Sequence, residues 1–193
     1  MSKLDNAIKF AIDAHRGQVR KITFNPYILH PLEAVAIAGT LTKDEDILCA
    51  AVLHDVVEDT NETLDAIRVM FGDRVAELVS AETEDKHREL PPEQTWKLRK
   101  EESLKHLRES TDIGVKIIWM ADKLSNMRSF YDAFVVMGDK LWDSFNQKDK
   151  KEQAWYYSEV YKILKPHFET SLAFLELQGL ITVLFGKEYV NEN

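Results

Sequence analysis

The stretch Leu53-His54-Asp55-Val56-Val57-Glu58-Asp59-Thr60 sets an imidazole beside a carboxylate and adds two further carboxylates one helical turn later. Apolar residues at helical spacing between Ile47 and Val52 precede it, which predicts a buried helix that ends near His54 and Asp55. A neighbouring His and Asp can share one metal ion, and an acid on the next turn can accept a proton from an attacking water. This stretch therefore predicts a helical, metal-dependent hydrolase.

Signals for helix starts recur along the rest of the chain. Its 193 residues include only 7 glycines and 5 prolines, which favours helices. Ser2-x-x-Asp5 and Thr42-x-x-Glu45 match capping boxes, in which two side chains satisfy the free amides of a first helical turn. Pro31 suits the first position of a helix that starts at His30, and Asp112 can cap a long apolar helix. We therefore predict an all-α fold.

Two segments leave alternatives open. Glu84 to Arg108 is highly charged, which indicates either a solvated surface helix or a mobile flap with Lys86 and Arg88 at its base. The final apolar run, Leu180 to Phe185, is short and predicts a strand-like or packing tail, or a contact with a partner. Neither segment looks like a linker, so we expect residues 1–193 to form a single domain.

Charge and cysteine content exclude several classes of protein. The formal charge is -8, with 25 basic and 33 acidic residues, so we do not expect binding to a nucleic acid polymer. The single cysteine, Cys49, rules out an intramolecular disulfide framework and fits a reducing compartment. No signal sequence or apolar run of roughly 18 residues is apparent. We therefore expect a cytoplasmic protein without membrane contact.

Four residues are candidate metal ligands: His30, His54, Asp55 and Asp122. Taken singly each is weak, since His30 could be only a helix cap and His-Asp dipeptides occur by chance. Asp122 is harder to dismiss, because a carboxylate inside an apolar helix needs a cation, either a metal or a lysine. Two imidazoles and two carboxylates form a mixed nitrogen and oxygen shell, which suits Mn²⁺, Fe²⁺ or Zn²⁺.

The acidic residues Glu58 and Asp59 follow His54 and Asp55 at a spacing of four, which brings them near the ligands if the helix continues. There a carboxylate can take the proton of the attacking water, so we predict Glu58 as the proton acceptor, helped by Asp59. The alternative for Asp59 is a cap, together with Thr60, for the next helix.

Four blocks of sequence resemble the hydrolase domain of the RelA/SpoT homologues, which belong to the HD phosphohydrolase superfamily. The blocks are Ala14-His15-Arg16-Gly17-Gln18 to Arg20-Lys21, Pro26-Tyr27-Ile28-Leu29-His30-Pro31, His54-Asp55-Val56-Val57-Glu58-Asp59-Thr60 and Ala121-Asp122-Lys123-Leu124-Ser125-Asn126-Met127-Arg128. The resemblance covers about residues 3–165 and leaves residues 166–193 as an extension without an assigned role. It implies an HD-domain helical bundle that acts as a stand-alone small alarmone hydrolase. Such an enzyme removes the 3′-pyrophosphate of ppGpp or pppGpp and gives GDP or GTP.

The resemblance also implies roles for individual residues. Mn²⁺, or Zn²⁺ or Fe²⁺ in its place, would be bound by His30, His54, Asp55 and Asp122. Glu58 and Asp59 match the acidic pair associated with hydrolysis. The candidate substrate-binding residues, to which Lys86 is added for its charge, are Arg20, Lys21, Lys86, Asn126, Arg128 and Ser129.

Two rival functions remain open from the sequence. The loop Lys21 to Pro26 lacks the usual small polar stretch and is one residue longer than the commonest form, which bears on substrate identity. Other HD proteins act on deoxynucleotides, cyclic nucleotides or NADPH, and a substrate panel would distinguish these. A non-catalytic alarmone sensor is the second rival, and loss of a ligand or of the acidic pair would favour it. A homo-oligomer is compatible with either reading.

Overall fold

The all-α prediction is confirmed by a computed structural model that describes residues 2–84, 86, 87 and 90–191. In this part of the chain the α-helices are α1 Lys3–Ala14, α2 Leu29–Leu41, α3 Glu45–Leu53, α4 Val56–Asp59, α5 Leu64–Phe71, α6 Asp73–Glu82, α7 Pro92–Glu109, α8 Ile113–Met137, α9 Lys150–Phe168 and α10 Leu172–Phe185. Two 3₁₀ helices, Gly138–Ser144 and Lys187–Tyr189, accompany them. The same residues form no β-strand, and Val19 and Pro26 make one isolated antiparallel bridge.

Two of the predicted caps are present. Ser2 and Asp5 form the reciprocal capping box of α1, in which each side chain accepts from the other residue's backbone amide. Asp112 caps α8 by accepting a hydrogen bond of 2.8 Å from the Gly114 amide. Arg74 pairs with the same carboxylate, so this cap also ties α6 to the start of α8.

The starts of two other helices differ from the prediction. Asp44, rather than Thr42, caps α3, because its carboxylate accepts from the Asp46 and Ile47 amides. The Thr42 hydroxyl accepts only from the Asp44 amide, one step before the helix. The helix α2 begins at Leu29, so Pro31 is its third residue, where its missing amide hydrogen still leaves no intrahelical bond unmade.

The centre of the fold is α8, which packs against α2, α3, α6 and α10. Its first half is buried on every side from Val115 to Ala121, as expected of a helix that is apolar around its circumference. Asp122 follows directly and is buried as well. A carboxylate is thereby held inside the bundle, facing the elements that carry the two candidate histidines.

The C-terminal segment is a helix, so the strand-like alternative is wrong and the packing alternative holds. Ser171 caps α10 by accepting from the Phe174 amide, and the helix continues to Phe185. Leu177 and Ile181 lie fully buried against α8 and α9, within the same core as the preceding helices. Among the described residues, no helix is both long and apolar enough to cross a membrane.

The charged segment after α6 contains α7, which is more than a solvated helix. Trp96 and Leu107 enter the core, while Arg99 and Lys100 bind the Glu84 carboxylate at 2.8 and 2.5 Å. Arg88, one of the two residues expected at the base of a flap, lies outside the described residues.

Candidate metal centre and adjoining cavity

His30, His54 and Asp122 come together in the interior from the start of α2, the end of α3 and the middle of α8. Their potential ligand atoms all lie within 4.8 Å of one another. Asp122 Oδ1 is 3.1 Å from His30 Nε2 and 3.6 Å from His54 Nε2, and the two Nε2 atoms are 3.3 Å apart. These three buried side chains form a site for a divalent metal ion.

Asp55 adds a second carboxylate to the same two nitrogens. Its Oδ2 lies 3.4 Å from His30 Nε2 and 3.2 Å from His54 Nε2. The reason is local, because α3 ends at Leu53 and α4 begins at Val56. His54 and Asp55 lie at this break with right-handed helical backbone angles, so their side chains point about 100° apart and reach the shared point from either side.

The hydrogen-bond partners of the two imidazoles fix where their hydrogens lie. His54 Nδ1 is 2.8 Å from the Ala51 carbonyl, which can only accept, so Nδ1 carries the hydrogen. His30 Nδ1 is 2.8 Å from Ser125 Oγ, whose own hydrogen goes to Glu33 Oε2 at 2.6 Å. When the imidazoles are neutral, both Nε2 atoms therefore present lone pairs, assigned from these partners, to each other and to the carboxylates. Such a set of facing acceptors requires a cation at its centre, so these residues fit a metal ion.

The ionisation of these groups reflects the same demand for positive charge. Burial opposes a charged imidazole at His54, yet the carboxylates of Asp55 and Asp122 raise its pKa well above the usual value. Burial likewise disfavours a charged carboxylate at Asp122, yet Lys123 and the two imidazoles hold its pKa well below the usual value. Lys123 Nζ contacts Asp122 Oδ2, while Oδ1 faces the two imidazoles.

Asp59 is held next to this centre by three contacts. The Tyr27 hydroxyl lies 2.8 Å from Asp59 Oδ2 and 2.6 Å from Asp55 Oδ2. Lys86 Nζ donates to Asp59 Oδ1 at 2.8 Å, and Gln18 Nε2 donates to the Asp59 carbonyl at 2.8 Å. The cap that was the alternative for Asp59 is absent here, because Thr63 caps the next helix.

Glu58 is held less tightly and ionises differently. Lys86 Nζ is 3.4 Å from its Oε1, and the Glu84 amide is 3.4 Å from its Oε2. Burial, and then the negative charge of Asp55, raise the pKa of Glu58 to about 7, with Lys86 opposing the shift. A carboxylate with this pKa can exchange a proton near neutral pH.

A cavity of about 740 Å³ adjoins the metal centre, and four of the candidate substrate-binding residues line it: Arg20, Lys21, Asn126 and Ser129. Arg20 donates to Asn126 Oδ1 at 2.7 Å, and Asn126 Nδ2 donates to Asp122 Oδ1 at 2.6 Å. The cavity wall is thus connected to the metal centre by consecutive hydrogen bonds.

Other residues of this wall were missed by the sequence analysis. Two further lysines, Lys100 and Lys123, bring positive charge to it. Its aromatic members are Tyr27, Trp96, Phe130, Phe145, Tyr156 and Tyr157. Cations beside aromatic rings suit a ligand that carries both phosphates and a planar base. Tyr27 and Lys123 had a signal in the sequence, since each lies in a block already singled out, close to His30 and Asp122 respectively.

Two of the candidate substrate-binding residues lie elsewhere. Lys86 borders a separate cavity of about 560 Å³ beside Glu58 and Asp59, and its charge is directed at that acidic pair. Arg128 is not brought to either of these cavities. It binds Glu33 at 2.9 Å and Glu176 at 2.7 Å, which joins α8 to α2 and α10. Two carboxylates already occupy its guanidinium, and the expectation that Arg128 binds substrate stays a prediction that these contacts do not support.

Three comparisons with known proteins point to the same family. A sequence model of the HD domain matches residues 7–140. The chain is 32% identical over 159 residues to a guanosine-3′,5′-bis(diphosphate) 3′-pyrophosphohydrolase of Aquifex aeolicus, which covers 82% of this chain and 20% of that protein. It is 36% identical over 135 residues to the bifunctional (p)ppGpp synthase/hydrolase SpoT of Escherichia coli, covering 67% and 18% respectively. The chain thus spans about one fifth of the length of these curated relatives.

Two solved structures share the fold over most of their length. One is a metazoan orthologue of SpoT, described as hydrolysing ppGpp and playing a role in starvation responses. It has a TM-score of 0.76 and 27% identity, and the match covers 97% of both chains. The other, from Listeria monocytogenes, has a TM-score of 0.69 and 31% identity over 81% of this chain and 98% of that one.

Proposed function

Because the chain belongs to the HD domain family, and within it to the RelA/SpoT-type hydrolase domains, we propose that it is a metal-dependent 3′-pyrophosphohydrolase. It removes the 3′-pyrophosphate of ppGpp or pppGpp and gives GDP or GTP and pyrophosphate. The observation that carries this proposal is the set of four facing acceptor atoms beside a cavity lined by cations and aromatic rings. The names of the relatives supply the substrate.

The proposed metal ligands are His30, His54, Asp55 and Asp122, and the proposed ion is Mn²⁺, with Zn²⁺ or Fe²⁺ as alternatives. A mixed nitrogen and oxygen donor set without thiolates supports this choice of ions. When bound, the ion supplies Lewis-acid charge at a phosphoryl oxygen and makes water a better nucleophile. Ser125 and the Ala51 carbonyl keep the two imidazoles in the tautomers that binding needs.

The substrate-binding role falls to the cavity wall. Arg20 and Lys21 offer positive charge to the phosphates, and Lys100 and Lys123 extend that charge around the cavity. Asn126 and Ser129 add neutral polar groups on one face of α8. The ammonium group of Lys86 instead pairs with the carboxylates of Glu58 and Asp59. Its contribution to phosphate binding is therefore indirect, because it offsets the negative charge of this acidic pair.

The reaction is a displacement at the phosphorus bonded to the ribose 3′-oxygen. The water oxygen forms a bond to that phosphorus, and the bond from phosphorus to the 3′-oxygen breaks. Glu58 accepts one proton of the water, and the 3′-oxygen leaves as a hydroxyl that takes its proton from solvent water. A pKa of about 7 allows Glu58 to accept this proton at neutral pH and to return it afterwards. Tyr27 and Lys86 keep the carboxylate of Asp59 at a fixed position beside Glu58.

The test is incubation of the purified protein with ppGpp and Mn²⁺, followed by identification of the products. We expect GDP and pyrophosphate in equal amounts. Tight binding of ppGpp without turnover would instead indicate a sensor. Turnover of deoxynucleotides, cyclic nucleotides or NADPH, with ppGpp left intact, would keep the phosphohydrolase chemistry and overturn the substrate.

We also propose that residues 1–193 act as one domain. The burial of α10 residues such as Leu177 and Ile181 in the same core as α8 supports this.

A further inference from the structure

Tyr27 connects the metal centre to the acidic pair through a single oxygen atom. Its hydroxyl lies 2.6 Å from Asp55 Oδ2 and 2.8 Å from Asp59 Oδ2. The Asp55 oxygen is the same one that faces both imidazole Nε2 atoms. Because a phenol has one hydrogen, Tyr27 donates to one carboxylate at a time, while its oxygen keeps a fixed separation from both.

The ring of Tyr27 is locked in place, so its hydroxyl cannot follow the carboxylates if they move. It stacks on His15 with centroids 4.8 Å apart, and it meets the edge of His30 at 6.0 Å. The Arg20 guanidinium lies 5.6 Å from the ring centroid on the cavity side. The Tyr27 amide also donates to the Gln18 carbonyl at 2.9 Å. A rotamer held on this many sides makes the hydroxyl a rigid reference point.

The two acids differ in how they are held. Asp59 is bound at both oxygens, by Tyr27 at one and by Lys86 at the other. Among the residues that the structure describes, the contacts at the two oxygens of Glu58 are both 3.4 Å long. A carboxylate that transfers a proton must be able to reorient. A carboxylate that supplies a fixed electric field at the site must stay in place. The contacts therefore separate the roles of two adjacent carboxylates.

From these contacts we propose that Tyr27 is a positioning residue, which fixes the carboxylate of Asp59 relative to the metal ligand Asp55. It leaves Glu58 free to carry the proton. This proposal rests on the proposed function. It assigns the positioning of Asp59 to the hydroxyl of Tyr27 and not to its aromatic ring. Its consequence is that loss of the hydroxyl lowers turnover and weakens metal binding, while substrate binding in the cavity persists.

The test compares Tyr27→Phe with Tyr131→Phe, a matched control at an exposed position of α8. For Tyr27→Phe we expect kcat with ppGpp to fall and the Mn²⁺ dissociation constant, measured by calorimetry, to rise, each by about 10-fold to 100-fold, as for other partners of metal ligands. KM should change by less than about 3-fold, because the cavity wall is intact. Circular dichroism checks that both variants remain folded.

A double-mutant cycle with Asp59→Asn separates positioning from general loss of structure. If Tyr27 acts through Asp59, adding Tyr27→Phe to Asp59→Asn lowers kcat by much less than it does in the native background. Additive losses, or an unchanged kcat and Mn²⁺ affinity in Tyr27→Phe, would overturn the proposal. If the native protein does not hydrolyse ppGpp, the proposed function fails, and the Mn²⁺ affinities alone still decide the role of Tyr27.

Discussion

The Nε2 atoms of His30 and His54 lie 3.3 Å apart, and in the neutral imidazoles, whose Nδ1 atoms carry the hydrogens, both present lone pairs to each other. Two lone pairs at this distance repel each other unless a cation lies between them. The nearby oxygens of Asp55 and Asp122 increase that repulsion. The folded state therefore gains stability when this centre binds a metal or, in its absence, a proton.

Metal binding is expected to raise the melting temperature. At a Mn²⁺ concentration about 100 times the dissociation constant, a ligand specific for the folded state adds about 2.7 kcal/mol. For a chain of this length that corresponds to a rise of roughly 5–10 °C. His54→Gln should lose this rise, because it removes one of the four donors. His106→Gln, at an exposed position of α7, should keep it. An equal rise in both variants would place the metal elsewhere.

Glu58→Gln should lower kcat by about 100-fold to 10,000-fold, the usual contribution of a proton-transfer group. Its Mn²⁺ affinity should stay close to native, since Glu58 is not among the proposed ligands. The matched control is Glu77→Gln, which alters an exposed glutamate of α6. Calorimetry with Mn²⁺ and steady-state kinetics with ppGpp measure the two quantities. Native turnover in Glu58→Gln would remove its assigned role.

The rate should depend on pH through Glu58. Burial and the charge of Asp55 raise the pKa of this carboxylate to about 7. A group that accepts a proton works only when deprotonated, and a metal ion held by Asp55 would offset part of this shift, so kcat should be low at pH 5 and rise at or below about pH 7. The residual activity of Glu58→Gln should lack this rise. A native profile that is flat between pH 5 and pH 8 would contradict the assignment.

Arg20→Gln should weaken substrate binding more than turnover. The guanidinium lines the cavity and donates to Asn126, and its loss removes one charge-assisted contact to a phosphate. Such contacts contribute about 1.5–3 kcal/mol, so KM for ppGpp should rise by roughly 10-fold to 100-fold. Arg68→Gln, which alters a surface arginine of α5 paired with Asp65, serves as the control. A KM equal to that of the control would exclude Arg20 from the phosphate site.

Asp112→Ala should destabilise the fold without changing the site. It removes the cap of α8, whose loss costs about 1–2 kcal/mol, and it also breaks the pair with Arg74. The hydrogen bond from Arg74 lowers the pKa of Asp112, so this stabilisation is present above the unfolded pKa and is lost as pH falls. The difference in melting temperature from Asp132→Ala, an exposed control in α8, should therefore shrink toward acid pH.

Much of the metal centre could be predicted from the sequence because its candidate ligands lie in short, recognisable stretches of sequence. His54 and Asp55 are adjacent, and Asp122 interrupts an apolar helix, so each residue is conspicuous without knowledge of the fold. The capping residues Ser2 and Asp112 were equally readable, since a cap acts within three residues of itself. The cap at Thr42 failed because Asp44, two residues later, offered a competing carboxylate to the same helix.

What could not be predicted depends on distances between segments far apart in the chain. Arg128 matched a substrate-contacting position, but its partners Glu33 and Glu176 come from two other helices. Leu180 to Phe185 looked strand-like because a run of six residues, five of them apolar, shows no clear period; the helix is apparent only with its start at Leu172. The aromatic wall of the cavity likewise gathers residues from α7, α8 and α9.

The break between α3 and α4 has a consequence for how this chain can vary. The proposed ligand pair and the acidic pair both lie between His54 and Asp59, and one inserted residue would turn everything after it by about 100° around the helix axis. An insertion or deletion within this segment would therefore separate the ligand pair from the acidic pair. The loop from Lys21 to Pro26 contributes Lys21, Ile22 and Thr23 to the cavity wall and holds no proposed ligand. A change of length in that loop would thus alter the cavity wall without moving a proposed ligand along the chain.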